Sequence, residues 1–161
     1  MIQMNVRSLA LDHQMNPVVF LVDQAETLAL PIWIGAAEAQ SIALQLRGIR
    51  PPRPMTHDLL RNMLSQLAVS VGRVIVADVR EGAYVAEIHV NNHGADVVVD
   101  SRASDAIALA LRTEAPIYVK QRVAENAIPL RKAFDEHDLE EFKKFLERVR
   151  PADFQTGSEN T

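Results

Sequence analysis

The sequence predicts an α+β fold built from two β-meander-plus-helix repeats, with a connecting helix between them and a C-terminal helix after them. Three observations predict it. Apolar residues alternate in short runs bounded by Gly, Asn, Asp and Pro, the pattern of half-buried strands joined by turns. Three such runs precede each of two longer helical patterns. The string IALQLR at 42–47 returns as IALALR at 107–112, an offset of 65 residues (107 − 42).

The first run covers residues 2–11. Ile2, Met4 and Val6 alternate, and Leu9 and Leu11 continue in the other phase. A change of phase near Arg7 and Ser8 predicts a β-bulge. HQMNP at 13–17 is turn material, VVFLV at 18–22 a strand, DQAET a turn and LALPIWI at 28–34 the third strand. Gly35 releases the chain into the helix AAEAQSIALQLRG, which Gly48 closes.

RPPRP at 50–54 is a stiff connector in which helix cannot continue. The next segment reads as a helix with Thr56 as N-cap and Asp58 in the first turn, where the helix dipole favours a carboxylate. Leu59, Leu60, Met63, Leu64 and Leu67 form its apolar face.

The second half repeats the first: strands at 71–79, 83–90 and 95–100, with turns at Glu81-Gly82 and NNHG, then the helix SRASDAIALALR capped by Ser101. At the 65-residue offset Val6 falls on Val71, Leu9 on Val74, Leu11 on Val76 and Ile34 on Val99, which reads as an internal duplication with halves at about 2–48 and 71–119. PIYV at 116–119 is a short strand, and 121–134 a short helix and loop. Asp138-x-x-Glu141 opens a last helix, in which Leu139, Phe142, Leu146 and Val149 recur at spacings of three and four. The expected organisation is a domain over 1–133, then a C-terminal helix and disordered tail over 134–161.

Composition narrows the function. The 161 residues are 48% hydrophobic and 24% charged, enough for a core and too structured for wholesale disorder. There is no cysteine, which removes disulfides, thiolate nucleophiles and Cys-based zinc sites and fits a cytoplasmic setting. No secretory signal or membrane-spanning run is read. The net charge of −4 means that any contact with phosphate needs a local cationic patch.

Two polar clusters could carry chemistry. The second helix entrance, Asp100-Ser101-Arg102-Ala103-Ser104-Asp105, gathers carboxylates, hydroxyls and a guanidinium within six residues. Capping alone explains such residues. On the functional reading Asp100 and Asp105 point into one cleft, where they bind a divalent cation such as Mg or a water, and Arg102 meets a phosphate. The other cluster is His57-Asp58 behind a proline segment bearing Arg50 and Arg53. Histidine is suited to proton transfer near neutral pH, although spacing alone favours an exposed first-turn histidine and solvated arginines. The remaining histidines show no paired metal-ligand spacing. Gly-rich phosphate loops, GxSxG and HExxH are missing. Trp33 reads as core, and Glu38 as a partner of the first helix dipole.

These clusters lie in three long motifs. LPIWIGAAEAQSIAL, RPMTHDLL, and DSRASDAIALALR followed by PIYV resemble, in order, the motifs of the bifunctional nuclease domain family of bacteria and plants. The resemblance spans roughly residues 2–125. Ser101 stands where the family has alanine and Ala103 where it has proline, while Asp100, Arg102, Ser104 and Asp105 agree. The resemblance implies an α+β fold, a homodimer or larger assembly, and cleavage of both RNA and DNA. The leading expectation is a phosphodiesterase. Asp100 and Asp105 hold a metal ion or orient water, His57 with Asp58 carries the proton, and Arg50, Arg53 and Arg102 neutralise the phosphate. The rival is a non-catalytic dimeric binding or regulatory module that recognises a small anion or a protein.

Overall fold

The alternation of the first run becomes strand β1 (Ile2–Leu11), which pairs antiparallel with β2 (Pro17–Asp23). Their register shifts between Val6 and Ser8, so the predicted bulge falls at Arg7. Strand β3 (Leu28–Trp33) completes the meander, and helix α1 (Ala36–Leu46) follows. The computed structural model describes residues 1–130 together with Glu140 and Lys144. The expected C-terminal helix with its stripe Leu139, Phe142, Leu146 and Val149, and the tail beyond it, lie outside the described residues.

Helix α2 (Thr56–Gln66) leads into the second meander, β4 (Ser70–Arg80), β5 (Ala83–Asn92) and β6 (Ala95–Arg102), and then helix α3 (Ala103–Thr113). Both hairpins turn over two residues of positive φ, Glu81-Gly82 and His93-Gly94. That geometry matches the right-handed twist of the flanking strands, and glycine adopts it without steric cost. Another register shift, at Gly72, lies 65 residues after the one at Arg7 (72 − 7). The correspondence does not extend to the helix boundaries, because α3 starts 67 residues after α1 (103 − 36).

Strand β7 (Ile117–Val119), short helix α4 (Gln121–Ala124) and β8 (Ile128–Pro129) end the described chain. β8 was not legible in the sequence, where 121–134 reads as helix and loop. Its two residues pair with Leu28 and Ala29 at the sheet edge. The eight strands form one sheet in the order β6-β5-β4-β7-β1-β2-β3-β8. β7 runs parallel to β4 and antiparallel to β1, and so joins the two meanders through the middle of the sheet.

The main core lies between one face of this sheet and helices α1 and α3. Val19, Leu21, Val74, Val76, Ala86 and Ile88 pack there against Ile42 and Ile107. The alternate residues of β2, Val18, Phe20 and Val22, form a smaller cluster on the other face with Ala29 and Ile128. Burial on both faces explains the unbroken apolar run VVFLV.

Two sequence expectations fail at helix ends, and the apolar face of α2 has an orientation that its periodicity left open. Thr56 is the first residue of α2 and Met55 holds the N-cap position; the Met55 N–H is satisfied by Asp58 Oδ2 at 3.0 Å. Arg102, not Ser101, holds the N-cap position of α3, because β6 runs two residues further than expected; the Ser101 hydroxyl donates instead to the Arg102 carbonyl. Most of the apolar side of α2 faces outward: Leu59, Met63 and Leu67 are 53%, 54% and 63% exposed, Leu64 packs against the main core, and His57 and Asp58 are the buried residues of the helix. Periodicity located the stripe correctly but carried no information on which side the core lies.

Candidate active site

The first turn of α2 is polar on its inner side, and it packs between α1 and α3. His57 is only 5% exposed, so the solvated reading of this residue fails. Burial of an imidazole requires partners for both ring nitrogens. They are Ser41 Oγ on α1, 2.7 Å from Nδ1, and Asp105 Oδ1 on α3, 2.9 Å from Nε2. Three helices thus contribute one residue each to a Ser41–His57–Asp105 line.

Arg102 closes the line on the solvent side. Its Nε donates to Asp105 Oδ2 at 2.8 Å and its Nη2 to Glu38 Oε1 at 2.6 Å. Burial opposes ionisation of Asp105. Hydrogen bonds from His57 and Arg102, with the Arg102 charge, outweigh it and hold the carboxyl below the usual carboxylate range. The Glu38 carboxyl is likewise lowered, first by its own backbone N–H and then by Arg102. Bonds to these two carboxylates raise the Arg102 guanidinium. An ionised Asp105 can only accept, so in neutral His57 the proton sits on Nε2. Nδ1 is then an acceptor for the Ser41 hydroxyl.

Glu38, Ser41, Met55, His57, Arg102 and Asp105 line a cleft of about 190 Å³. Its formal charge is −1, from two carboxylates and one guanidinium around a neutral imidazole. Arg102 also borders a wider depression of about 390 Å³ walled by Trp33, Ile34, Tyr84 and Ser104. Burial pushes the Tyr84 phenol up to about 12.

The other expected site residues lie elsewhere. Asp58, the next residue on the inner side of α2, turns away from the cleft, and its Oδ1 accepts from Arg112 Nε at 2.7 Å. Burial works against its charge, but Arg112 and the Met55 N–H prevail and lower the carboxyl. Asp100 pairs with Glu87 across β5 and β6, on the sheet face opposite the one that Ala86 and Ile88 present to the helices. It is exposed and does not line the cleft. Arg50 and Arg53 are exposed and do not line it either. A divalent ion on Asp100 and Asp105 does not fit this arrangement. The two carboxylates face different sides of the sheet, and both oxygens of Asp105 are engaged by His57 and Arg102. Among the described residues, no three His, Asp or Glu side chains are grouped so as to hold a metal ion.

Sequence reasoning missed Ser41 and Arg112. Arg112 is 8% exposed and ties the helices together: Nε holds Asp58 on α2, Nη1 the Ala108 carbonyl and Nη2 the Ser41 carbonyl on α1. A charged residue that ends an otherwise apolar helical string was the available signal. Ser41, one hydroxyl beside Ile42 on the inner face of α1, carried none that distinguishes it from a packing residue.

Comparison with known proteins gives the family of the chain. The model of the bifunctional nuclease domain matches residues 19–130, which include all four members of the Ser41–His57–Asp105–Arg102 group. The chain is 39% identical over 151 residues to the uncharacterized protein MT1877 of Mycobacterium tuberculosis, covering 88% of this chain and 90% of that one. It is 28% identical over 114 residues to bifunctional nuclease 1 of Oryza sativa subsp. indica, and 27% identical over 112 residues to bifunctional nuclease 2 of Arabidopsis thaliana. These alignments cover 69% and 68% of this chain but only 34% of each plant protein. By the extent of the domain match, the chain belongs to the bifunctional nuclease domain family.

Proposed function

We propose that the protein hydrolyses phosphodiester bonds in RNA and DNA with little sequence selectivity, and that the cleft at His57 is where it does so. The observation that carries this reading is the Ser41–His57–Asp105 line under Arg102. Asp105 fixes the imidazole and its tautomer, leaving Nδ1 to accept a proton. His57 is the proton carrier and draws the Ser41 hydroxyl proton toward Nδ1. Arg102 uses Nε and Nη2 on the carboxylates; its Nη1 remains for a phosphate oxygen at a side chain that is 63% exposed. In the net reaction a water adds OH to phosphorus and the P–O bond to the leaving sugar breaks. The proton that the water loses passes to Ser41 Oγ as the Ser41 proton passes to His57 Nδ1, and His57 then gives that proton to the sugar oxygen, so Ser41 and His57 end as they began. The depression beside Arg102 gives the flanking nucleoside room, and backbone contacts of this kind read no base sequence. Assembly into a homodimer or larger, which the family resemblance implies, belongs to the same proposal.

One observation favours a second reading, a non-catalytic binding or regulatory module. Both ring nitrogens of His57 and both oxygens of Asp105 already have partners. One assay separates the readings. Labelled single-stranded RNA and DNA are incubated with the full chain, with and without magnesium or EDTA, beside His57→Ala as contamination control. The nuclease reading expects cleavage by the wild type and a loss of about 10²–10⁴-fold in the folded variant, the usual contribution of a positioned acid–base group. Equal rates in the two proteins remove His57 from the reaction, and no cleavage by either leaves the binding module.

A further inference from the structure

A second concavity lies on the other side of the α2 entrance. It has a volume of about 270 Å³, and its charged lining is Arg50, Arg61, Arg112 and Asp58. Three guanidiniums and one carboxylate give a formal charge of +2, against −1 in the His57 cleft. In a chain of net charge −4 this is an uncommon local excess. The floor is the buried Arg112–Asp58 pair, with the Arg112 side chain 2% exposed and held by three hydrogen bonds. Neither of the two remaining arginines makes an ion pair among the described residues, although the charge of Arg61 adds to that of Arg112 in lowering Asp58. Arg50 makes no hydrogen bond or ion pair there, and Arg61 reaches only the amide oxygen of its neighbour Asn62, at 3.3–3.4 Å. Pro51 and Pro54 stiffen the rim that carries Arg50, and Gln45 adds an amide.

We propose that this pocket is a phosphate-binding site, separate from the cleft in which His57 lies. A buried, pre-oriented ion pair at the base fixes the positive field, and two unpaired guanidiniums at the rim supply forked donors that match phosphate oxygens. His57 and Asp58 are consecutive on one helical turn and face the two cavities, so the pocket adjoins the cleft across the α2 backbone. The site stands on charge and shape, and cleavage is not needed for it to bind. The phosphate is either a free ion or a backbone phosphate of a strand whose neighbouring unit occupies the cleft; both present the same chemistry to Arg50 and Arg61.

The test follows arginine Nε–H resonances of the full chain by NMR during titration with inorganic phosphate, with the dinucleotide TpT and with its 5′-phosphorylated form. Saturable movement of the Arg112 and Arg61 signals is expected with at least one probe. In Arg50→Ala/Arg61→Ala the affinity falls by about tenfold or more, the scale of two lost charge-assisted hydrogen bonds. Arg80→Ala, an exposed side chain at the end of β4 that lines neither cavity, leaves it unchanged. Binding of phosphate alone identifies the free ion, and binding of TpT identifies a strand; either supports the site. Absence of saturable movement with all three probes, or wild-type affinity in the double variant, overturns it. If the double variant fails to fold, the exposed Arg50→Ala carries the same comparison. No cleavage by the wild type, or equal cleavage by the wild type and His57→Ala, with phosphate binding intact would set failure of the nuclease reading apart from failure of this site.

Discussion

Residues 42–47 on α1 and residues 107–112 on α3 share five of six side chains, differing only at Gln45 and Ala110. Their isoleucines have the same fate: Ile42 and Ile107 are both 0% exposed in the main core. Their arginines do not. Arg47 is the C-cap residue of α1, exposed and with no side-chain bond among the described residues, whereas Arg112 is inside α3 and binds Asp58, Ala108 and Ser41. The cause is the helix frame. Ile42 lies six residues after the start of α1 (42 − 36), but Ile107 only four after the start of α3 (107 − 103). The same string therefore leaves its last residue outside one helix and within the other. α3 is also covered by α1 and α2, which gives Arg112 carbonyl and carboxylate partners away from water. A repeated sequence specifies packing at its apolar positions; what a polar position does depends on what is packed above it.

The largest expected difference is between the two arginines. Arg112→Ala leaves Asp58 as a buried, unpaired carboxylate and should destabilise the fold by about 3–5 kcal/mol, the scale for breaking one side of a buried ion pair. Arg47→Ala removes an exposed side chain and should change stability by no more than about 0.5 kcal/mol. Urea unfolding of the two variants reads both. Equal costs would mean that the helix frame is not what separates the copies. The isoleucines sharpen the comparison from the other side. Ile42→Ala and Ile107→Ala should each cost about 2–5 kcal/mol and resemble one another, because both vacate full burial in one core.

Much of the fold was legible because it follows local rules. The bulge at Arg7, the Gly82 and Gly94 turns, the β7 strand and the order meander–helix all rest on alternation or turn chemistry within a few residues. The site was legible only where a residue announced its chemistry. His57, Asp105 and Arg102 stand out as titratable groups at helix entrances, and they do converge. Asp100 stood beside them in sequence, but strand alternation, once the register with Glu87 is fixed, turns it to the other face. Ser41 and the carbonyl partners of Arg112 depend on which helices touch, which no spacing within one segment encodes.

Acid should expose the same asymmetry more weakly. Asp58 and Asp105 have folded pKa values below their ordinary ones. Their stabilisation is therefore fully present above the unfolded value near ~3.9 and is lost as pH falls through the folded values beneath it. The wild type should lose stability over that window. Asp58→Asn, which cannot titrate, should start less stable at neutral pH and show a shallower decline. A decline as steep as that of the wild type, measured by unfolding midpoints from pH 7 down to 3, would show that the pairing with Arg112 contributes little.

The smallest effect is expected on the outer side of α2, and it tests the inversion of that helix directly. The inner side carries His57 and Asp58, while Met63 stands 54% exposed on the outer side. A leucine or methionine in a core costs about 2–5 kcal/mol to truncate. A surface one removed from special contacts changes stability by about 0.5 kcal/mol or less. Met63→Gln should fall in the second class, with a midpoint that depends on protein concentration no differently from that of the wild type. A cost of 2 kcal/mol or more would mean that the outer side of α2 is covered after all. Concentration dependence would then say by what: a midpoint that rises with protein concentration requires a second copy, and a constant one requires another segment of the same chain. Either result would make α2 a helix buried on both sides, with its polar face serving the site and its apolar face serving an interface. The contrast between its two faces would then be one of partner rather than of exposure.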